Sequence, residues 1–214
     1  GDRRRFNLIL IIFLAVVVIA AILGQLILHP DRQARLKILY TAGVRGHILY
    51  EEDVSAGYER IRTLALEAEK DGSYVLLLDA GNSIGGSEVG EYDGGRAIAG
   101  LMGAVGYDAM VPGVYDFSGG PSSLTNLRGD MSFPFLAANV LKSDETCLME
   151  DYLILNIHNV KVGLIGVTQA MDQETAEKNG LTLTDPVKAV KKAVSQIGGD
   201  ADMNIVMACV DEES

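Results

Sequence analysis

The sequence has no tryptophan, only two cysteines, five prolines and three histidines among its 214 residues. Cys147 and Cys209 allow one disulfide at most, which excludes a disulfide-stapled scaffold, and their separation excludes a C-x-x-C redox motif. Whether the two pair is left open by the sequence. His29, His47 and His158 stand far apart, with no second ligand at metal-binding spacing. Basic side chains are also scarce, 18 Lys and Arg against 29 Asp and Glu, for a net charge of −11. Residues 1–30 hold three arginines and one aspartate, so the rest of the chain carries −13. A domain this acidic does not hold nucleic acid through phosphate contacts, and its charge disfavours anionic substrates and lipid surfaces. Low-complexity tracts and internal repeats are missing too. What remains is room for one membrane segment and one domain with a real core.

Charge is absent altogether from Phe6 to Leu28, where Asn7 and Gln25 are the only polar side chains. At 1.5 Å per residue such a run spans the roughly 30 Å hydrocarbon core of a bilayer. The expectation is a transmembrane helix within residues 1–30, followed by a tether over 31–35 and a domain over 36–214. Arg3, Arg4 and Arg5 precede the run, so the positive-inside rule places the N-terminus in the cytoplasm. The domain then lies on the periplasmic or extracellular side of the cytoplasmic membrane. A cleavable signal peptide is the second reading, although its apolar region usually covers only about 7–15 residues.

Beyond the tether, strand and helix patterns alternate. Strands are expected at 37–41, 74–79, 109–111 and 133–137, with helices at 54–70 and 96–105 and a short helical turn at 124–128. Val54, Tyr58, Ile61, Leu64 and Ala68 recur at helical spacing and define the buried face of the first helix. This order argues for an α/β domain with a largely parallel sheet. Residues 152–158 and 161–167 flank Asn159-Val160 and read as an antiparallel hairpin. Asp185-Pro186 caps and opens a helix that runs to Gln196, Gly198-Gly199 ends it, and 203–210 forms the last strand.

Open α/β folds place their chemistry at strand ends. Here those ends read Thr41-Ala42-Gly43-Val44-Arg45-Gly46, Asp79-Ala80-Gly81-Asn82 with Gly86-Ser87, Gly113-Val114-Tyr115-Asp116-Phe117-Ser118, and Met207-Ala208-Cys209-Val210-Asp211. In order and spacing they resemble four motifs of the 5'-nucleotidase metallophosphoesterase family, T-N-D-x-H-G, D-A-G-D-x-x-x-G-S, G-N-H-E-F-D and V-L-S-H-L-G. Phe133–Val140 is similar to a further family strand. The resemblance runs from about Leu36 to Val210. It implies the layered sheet-and-helix fold of these two-metal phosphate-ester hydrolases. The family's second ligand set and its substrate-binding domain lie outside the resembled span.

At the positions that the resemblance marks as metal-binding or catalytic, this chain has Gly43, Arg45, Asn82, Val114, Tyr115 and Cys209. Two-metal hydrolysis needs divalent ions about 3.5–4 Å apart, held by carboxylates and imidazoles, to generate hydroxide near neutral pH. Gly43 and Val114 offer no ligand atom, Arg45 repels cations, Asn82 is neutral, and a lone Cys209 thiolate is not a site. No metal or cofactor is therefore expected, and the implied hydrolytic centre is dismantled. Asp79, Asn82 and Asp116 are the residual polar candidates, and a strand-end aspartate more often caps the following turn. Asn82→Ala or Asp116→Ala is accordingly expected to alter stability only modestly. Arg45 and His47 beside the glycine turn raise phosphate binding as a further reading, whereas the glycines of 79–87 lack the lysine of a phosphate-binding P-loop.

Three functions follow as expectations. The first is a catalytically inactive, membrane-anchored accessory or scaffolding subunit of a membrane protein complex, whose partners are other subunits. The second is a nucleotide or phosphate-ester binder, or weak metal-dependent phosphoesterase, using Asp79, Asn82 and Asp116. The third is a membrane-anchored binding module working alone.

Overall fold

The computed structural model describes residues 14–21, 23 and 35–210. The chain divides into two compact units, Gly1–Gln33 and Ala34–Ser214. In the first, residues 14–21 are helical. Among the described residues no helix is long and apolar enough to cross a membrane. Most of the expected span over 6–28, the tether over 31–34 and Asp211 lie outside the described residues.

The second unit is built around two large sheets. Strands β1 (Leu36–Thr41), β2 (Tyr74–Asp79) and β3 (Ala109–Met110) form one, parallel throughout, in the order β1-β2-β3. Strands β5 (Tyr152–Ile157), β6 (Val160–Thr168) and β8 (Met203–Cys209) form the second, in the order β5-β6-β8. Its β5-β6 pair is antiparallel and its β6-β8 pair parallel. The expected single, largely parallel sheet is thus two sheets, one of them mixed. Strands β4 (Val140–Lys142) and β7 (Leu181–Leu183) pair antiparallel in a small third sheet that the sequence pattern did not mark.

Three apolar clusters define the layers. Leu76, Leu78, Ala109, Val111, Leu136, Val162, Leu164 and Met207 pack between the two large sheets. Leu77 and Met110 face the other way, against helices α1 (Tyr58–Glu69) and α3 (Arg96–Val105) through Tyr58, Ile61, Ile98 and Met102. Ile165 and Val167 on the far face of β6 meet Ala189, Ala193 and Ile197 of α6 (Pro186–Ile197). The result is a helix-sheet-sheet-helix sandwich. It explains why β2 and β6 are continuous apolar runs, since both of their faces are covered. Short helices α2 (Glu88–Tyr92), α4 (Pro121–Arg128) and α5 (Gln173–Lys178) fill the connections.

Local chemistry sets most boundaries. Asp185 accepts a 2.7 Å bond from the Lys188 N–H and Pro186 occupies the first turn of α6, as expected from sequence. The first helix begins at Tyr58 rather than 54, because residues 51–55 form a tight turn closed by paired Glu51–Ser55 bonds. Val54 and Leu64 are exposed, and Ala65 is buried. In the β5-β6 hairpin the turn residues are His158-Asn159, not Asn159-Val160. Both have positive φ, the type I′ geometry that matches strand twist, and Val160 pairs with Ile157.

Residues 133–137 form no regular strand. They stitch the two large sheets together instead. Leu136 N–H donates to Met110 O, Ala137 N–H to Glu150 O, and Ala138 N–H to Gly166 O, each at 2.8 Å. Gly166 permits this approach, for a Cβ there would overlap Leu136.

Candidate functional site

The C-terminal ends of β1, β2, β3, β6 and β8 meet at one edge of the sandwich. Gly43 N–H donates to Gly81 O, Arg45 N–H to Asn82 O and Gly46 N–H to Ser83 O, at 2.8–2.9 Å, zipping the loop after β1 onto the loop after β2. The loop after β3 joins through Asn82, whose Oδ1 accepts from Tyr115 N–H at 3.0 Å. Asn82 Nδ2 lies 3.8 Å from Cys209 Sγ at the end of β8. The Arg45 guanidinium stacks over the Tyr115 ring, 4.5 Å from its centroid. Gly43, Arg45, Asn82, Tyr115 and Cys209 are therefore one cluster, and exposed Val114 adjoins it.

Every polar atom of the Asn82 side chain is engaged within the cluster. Asn82 itself sits at φ 60°, a left-handed conformation that Asn tolerates better than most residues. Gly113 lies directly against its amide, where a Cβ would overlap Oδ1.

The two aspartates point into the loops rather than outward. Asp116 Oδ1 accepts from the N–H groups of Ser83, Ile84 and Gly85 at 2.9–3.1 Å, and Oδ2 from those of Asn82 and Gly113 at 2.7 Å. The glycine-bearing loop after β2 does cradle an anion, and that anion is the chain's own carboxylate. Burial pushes the Asp116 carboxyl up from its ordinary value, and the backbone donors pull against that shift.

Asp79 is fully buried. Its Oδ2 accepts from Thr41 Oγ1 at 2.5 Å and Ser83 Oγ at 2.6 Å, and its Oδ1 from Gly81 N–H at 2.9 Å. Burial pushes its carboxyl up to about 7, against these hydrogen bonds. Thr41 Oγ1 lies 2.8 Å from Tyr107 Oη, and the Tyr107 ring meets Tyr58 edge-to-face with centroids 6.4 Å apart. Burial drives both phenols well above the usual range.

Sequence reasoning missed several members of this network. Thr41 and Ser83 flank the strand-end motifs and were within reach of a local reading. Tyr107 and Asn139 were not, since only the tertiary fold brings them in. Asn139 bonds both backbone groups of Thr168, accepting from N–H at 2.9 Å and donating to the carbonyl at 2.7 Å, while Thr168 Oγ1 donates to Pro112 O. His47 is exposed beside Gly46, and His158 sits in the distant hairpin turn against Tyr74. Cys147 and Cys209 are both thiols, and the Cys147 Sγ lies 3.6 Å from Ala138 O.

No family model matches the chain. Over 162 residues, 68% of this chain and 28% of the relative, it is 31% identical to 5'-nucleotidase of Bos taurus. Over 191 residues, 84% of this chain and 34% of the relative, it is 26% identical to 5'-nucleotidase of Vibrio cholerae. The solved calcineurin-like phosphoesterase YfkN of Bacillus subtilis matches with a TM-score of 0.68 at 24% identity, over 82% of this chain and 62% of that one. This chain is a relative of the 5'-nucleotidases. Its fold is the metallophosphoesterase sandwich. It spans 21–34% of the length of the curated relatives it matches.

Among the described residues, the donor set at these strand ends does not fit a two-metal phosphoesterase. Among the described residues no group of three or more His, Cys, Asp or Glu side chains is placed to hold a metal ion. Asn82 has spent its amide on Tyr115 and Cys209, and the Arg45 cation overlies the Tyr115 ring. Asp79 and Asp116 are engaged by hydroxyl and backbone donors.

Proposed function

We propose that this 5'-nucleotidase relative is catalytically inactive and serves as a membrane-anchored accessory or scaffolding subunit of a membrane protein complex. The observation that supports a loss of catalysis is the engagement of the neutral Asn82 amide by the Tyr115 N–H and the Cys209 thiol. A dinuclear centre needs several anionic or imidazole donors converging on open space. This cluster offers a neutral amide already bonded to Tyr115 and Cys209, and a guanidinium whose charge opposes a divalent ion. A frame kept without its ligands is most simply kept for its surfaces. Anchoring rests on the uncharged run over 6–28 and the arginines before it.

Metal analysis of the full chain, together with hydrolysis of AMP and of bis-p-nitrophenyl phosphate with added Mn²⁺, Zn²⁺ or Mg²⁺, tests the first part. Substoichiometric metal and no turnover above buffer support the reading. A stoichiometric divalent ion with turnover that Asn82→Ala abolishes would overturn it in favour of a weak phosphoesterase. For the scaffolding role, the native membrane is extracted in mild detergent and the proteins that co-purify with the chain are quantified. Partners at fixed ratio that depart when residues 6–28 are exchanged for an unrelated helix are expected. A chain that purifies alone counts against it.

A further inference from the structure

Two buried carboxylates lie beneath the strand-end loops, and the fold gives them different kinds of hydrogen-bond partner. Asp116 meets backbone N–H groups, five of them. An N–H cannot accept, so a proton on either Asp116 oxygen would point at donors and find no acceptor among them. Asp79 differs. Its Oδ1 accepts from the Gly81 N–H at 2.9 Å, but its Oδ2 lies between two hydroxyls, Thr41 Oγ1 at 2.5 Å and Ser83 Oγ at 2.6 Å. A hydroxyl donates or accepts, and these distances suit a carboxylic O–H giving to one of them as well as a carboxylate receiving from both.

Asp79 is fully buried, and among the described residues no lysine, arginine or histidine forms an ion pair with it. The titratable groups that face it are Asp116, an acid like itself, and the Tyr107 and Tyr58 phenols, which burial keeps protonated. No cation among them compensates a charge at this position.

Counting donors against acceptors fixes where a proton on Asp79 goes. If it is given to Thr41 Oγ1, the Thr41 hydroxyl has to turn to Tyr107 Oη, 2.8 Å away, and the buried Tyr107 O–H loses its acceptor. If it is given to Ser83 Oγ, the Ser83 hydroxyl turns to Gly81 O, 3.4 Å away, while Thr41 still donates to Oδ2 and Tyr107 to Thr41. Only the second arrangement leaves every hydroxyl hydrogen of the network with an acceptor. Gly81 O also receives the Gly43 N–H at 2.8 Å, one of the bonds that zip the loop after β1 onto the loop after β2.

We propose that Asp79 is a proton-operated latch beneath the strand-end loops. Protonated on Oδ2, it donates to Ser83 Oγ and sends the Ser83 hydroxyl to Gly81 O. Ionised, it draws that hydroxyl back and sets a second buried anion beside Asp116. The latch does not depend on whether the cluster is catalytic.

The test is infrared difference spectroscopy of the full chain in a detergent without ester carbonyls. Spectra are compared between about pH 6 and about pH 9, either side of the value of about 7 to which burial pushes Asp79. The expected result is a protonated-carboxyl C=O band at the lower pH that is lost at the higher one and missing in Asp79→Asn. Ser83→Ala shifts this band and Thr41→Val leaves it in place. The Gly43 amide resonance, followed over the same range, moves with the midpoint of the band in wild type and stays still in Asp79→Asn. A band that survives Asp79→Asn would place the proton on another carboxyl and overturn the proposal, as would the lack of any such band. A band shifted by Thr41→Val and not by Ser83→Ala would overturn the donation to Ser83. A Gly43 amide that ignores the titration would overturn the latch. Circular dichroism confirms folding, and if Asp79→Asn does not fold, the wild-type band with Ser83→Ala and Thr41→Val carries the decision.

Discussion

Asp116 illustrates how far a residue's role depends on what the backbone does around it. Sequence reasoning treated it as a candidate polar site residue whose removal would matter little, but it accepts five backbone N–H bonds and is buried. Asp116→Ala leaves those donors unpaired, each inside a loop that water does not reach freely. The expected loss is at least about 3 kcal/mol, measured by urea unfolding, with Asp116→Asn intermediate because one acceptor oxygen survives. Asp79 gives a pH signature. Its carboxyl is raised to about 7 in the folded protein against an ordinary value of 3.8, so between those values the folded state holds a proton that the unfolded state has released. Stability from this group is therefore present below about pH 4 and falls as pH rises towards 7. Asp79→Asn removes the term, so the variant gains stability relative to wild type as pH is raised from 4 to 8. Parallel unfolding curves at each pH check this, and a constant difference between the two proteins would contradict it.

Among the elements, helix α6 was readable from local signals because its start, stop and buried stripe are all written in neighbouring residues. Asp185→Ala should cost about 1 kcal/mol through the lost bond to the Lys188 N–H, seen as a lower urea midpoint with unchanged slope. The β5-β6 hairpin was readable as a hairpin, but its turn was displaced by one residue. Asn159 and Val160 looked like the loop, whereas strand twist selects two adjacent positive-φ positions, which fall on His158 and Asn159. Strands β4 and β7 have three residues each and no periodicity to detect. They exist because the chain returns to pair Val140 with Leu183, a non-local event. Residues 133–137 fail as a strand for a related reason. Their apolar run is real, but its hydrogen bonds are divided among Met110, Glu150 and Gly166, so no single ladder forms.

For the whole molecule, stability rests on how closely the two sheets are stitched at that segment. Gly166→Ala would drive a Cβ into Leu136 where the backbones already touch, and neither side can retreat without breaking the Ala138 N–H bond to Gly166 O. The expected destabilisation is about 2–4 kcal/mol, the range of overpacking in a rigid core, read as a fall in thermal midpoint while an exposed control such as Gly199→Ala changes little.

By itself the sequence determined the α/β class, the strand-end positions of the motifs, the caps of α6 and the identity of the side chains in the family's metal positions. These follow from local periodicity, capping chemistry and residue type, all of which act over a few neighbours along the chain. Only the tertiary structure decided that there are two large sheets rather than one, that Asp116 fills the glycine loop's anion cradle, and that the Asn82 amide bonds both Tyr115 and Cys209. Those facts depend on contacts between residues 30 to 130 positions apart, as in the Asn82–Asp116 and Asn82–Cys209 pairs. Which distant partner satisfies a buried polar group is set by the packing of whole sheets, and no local pattern encodes it.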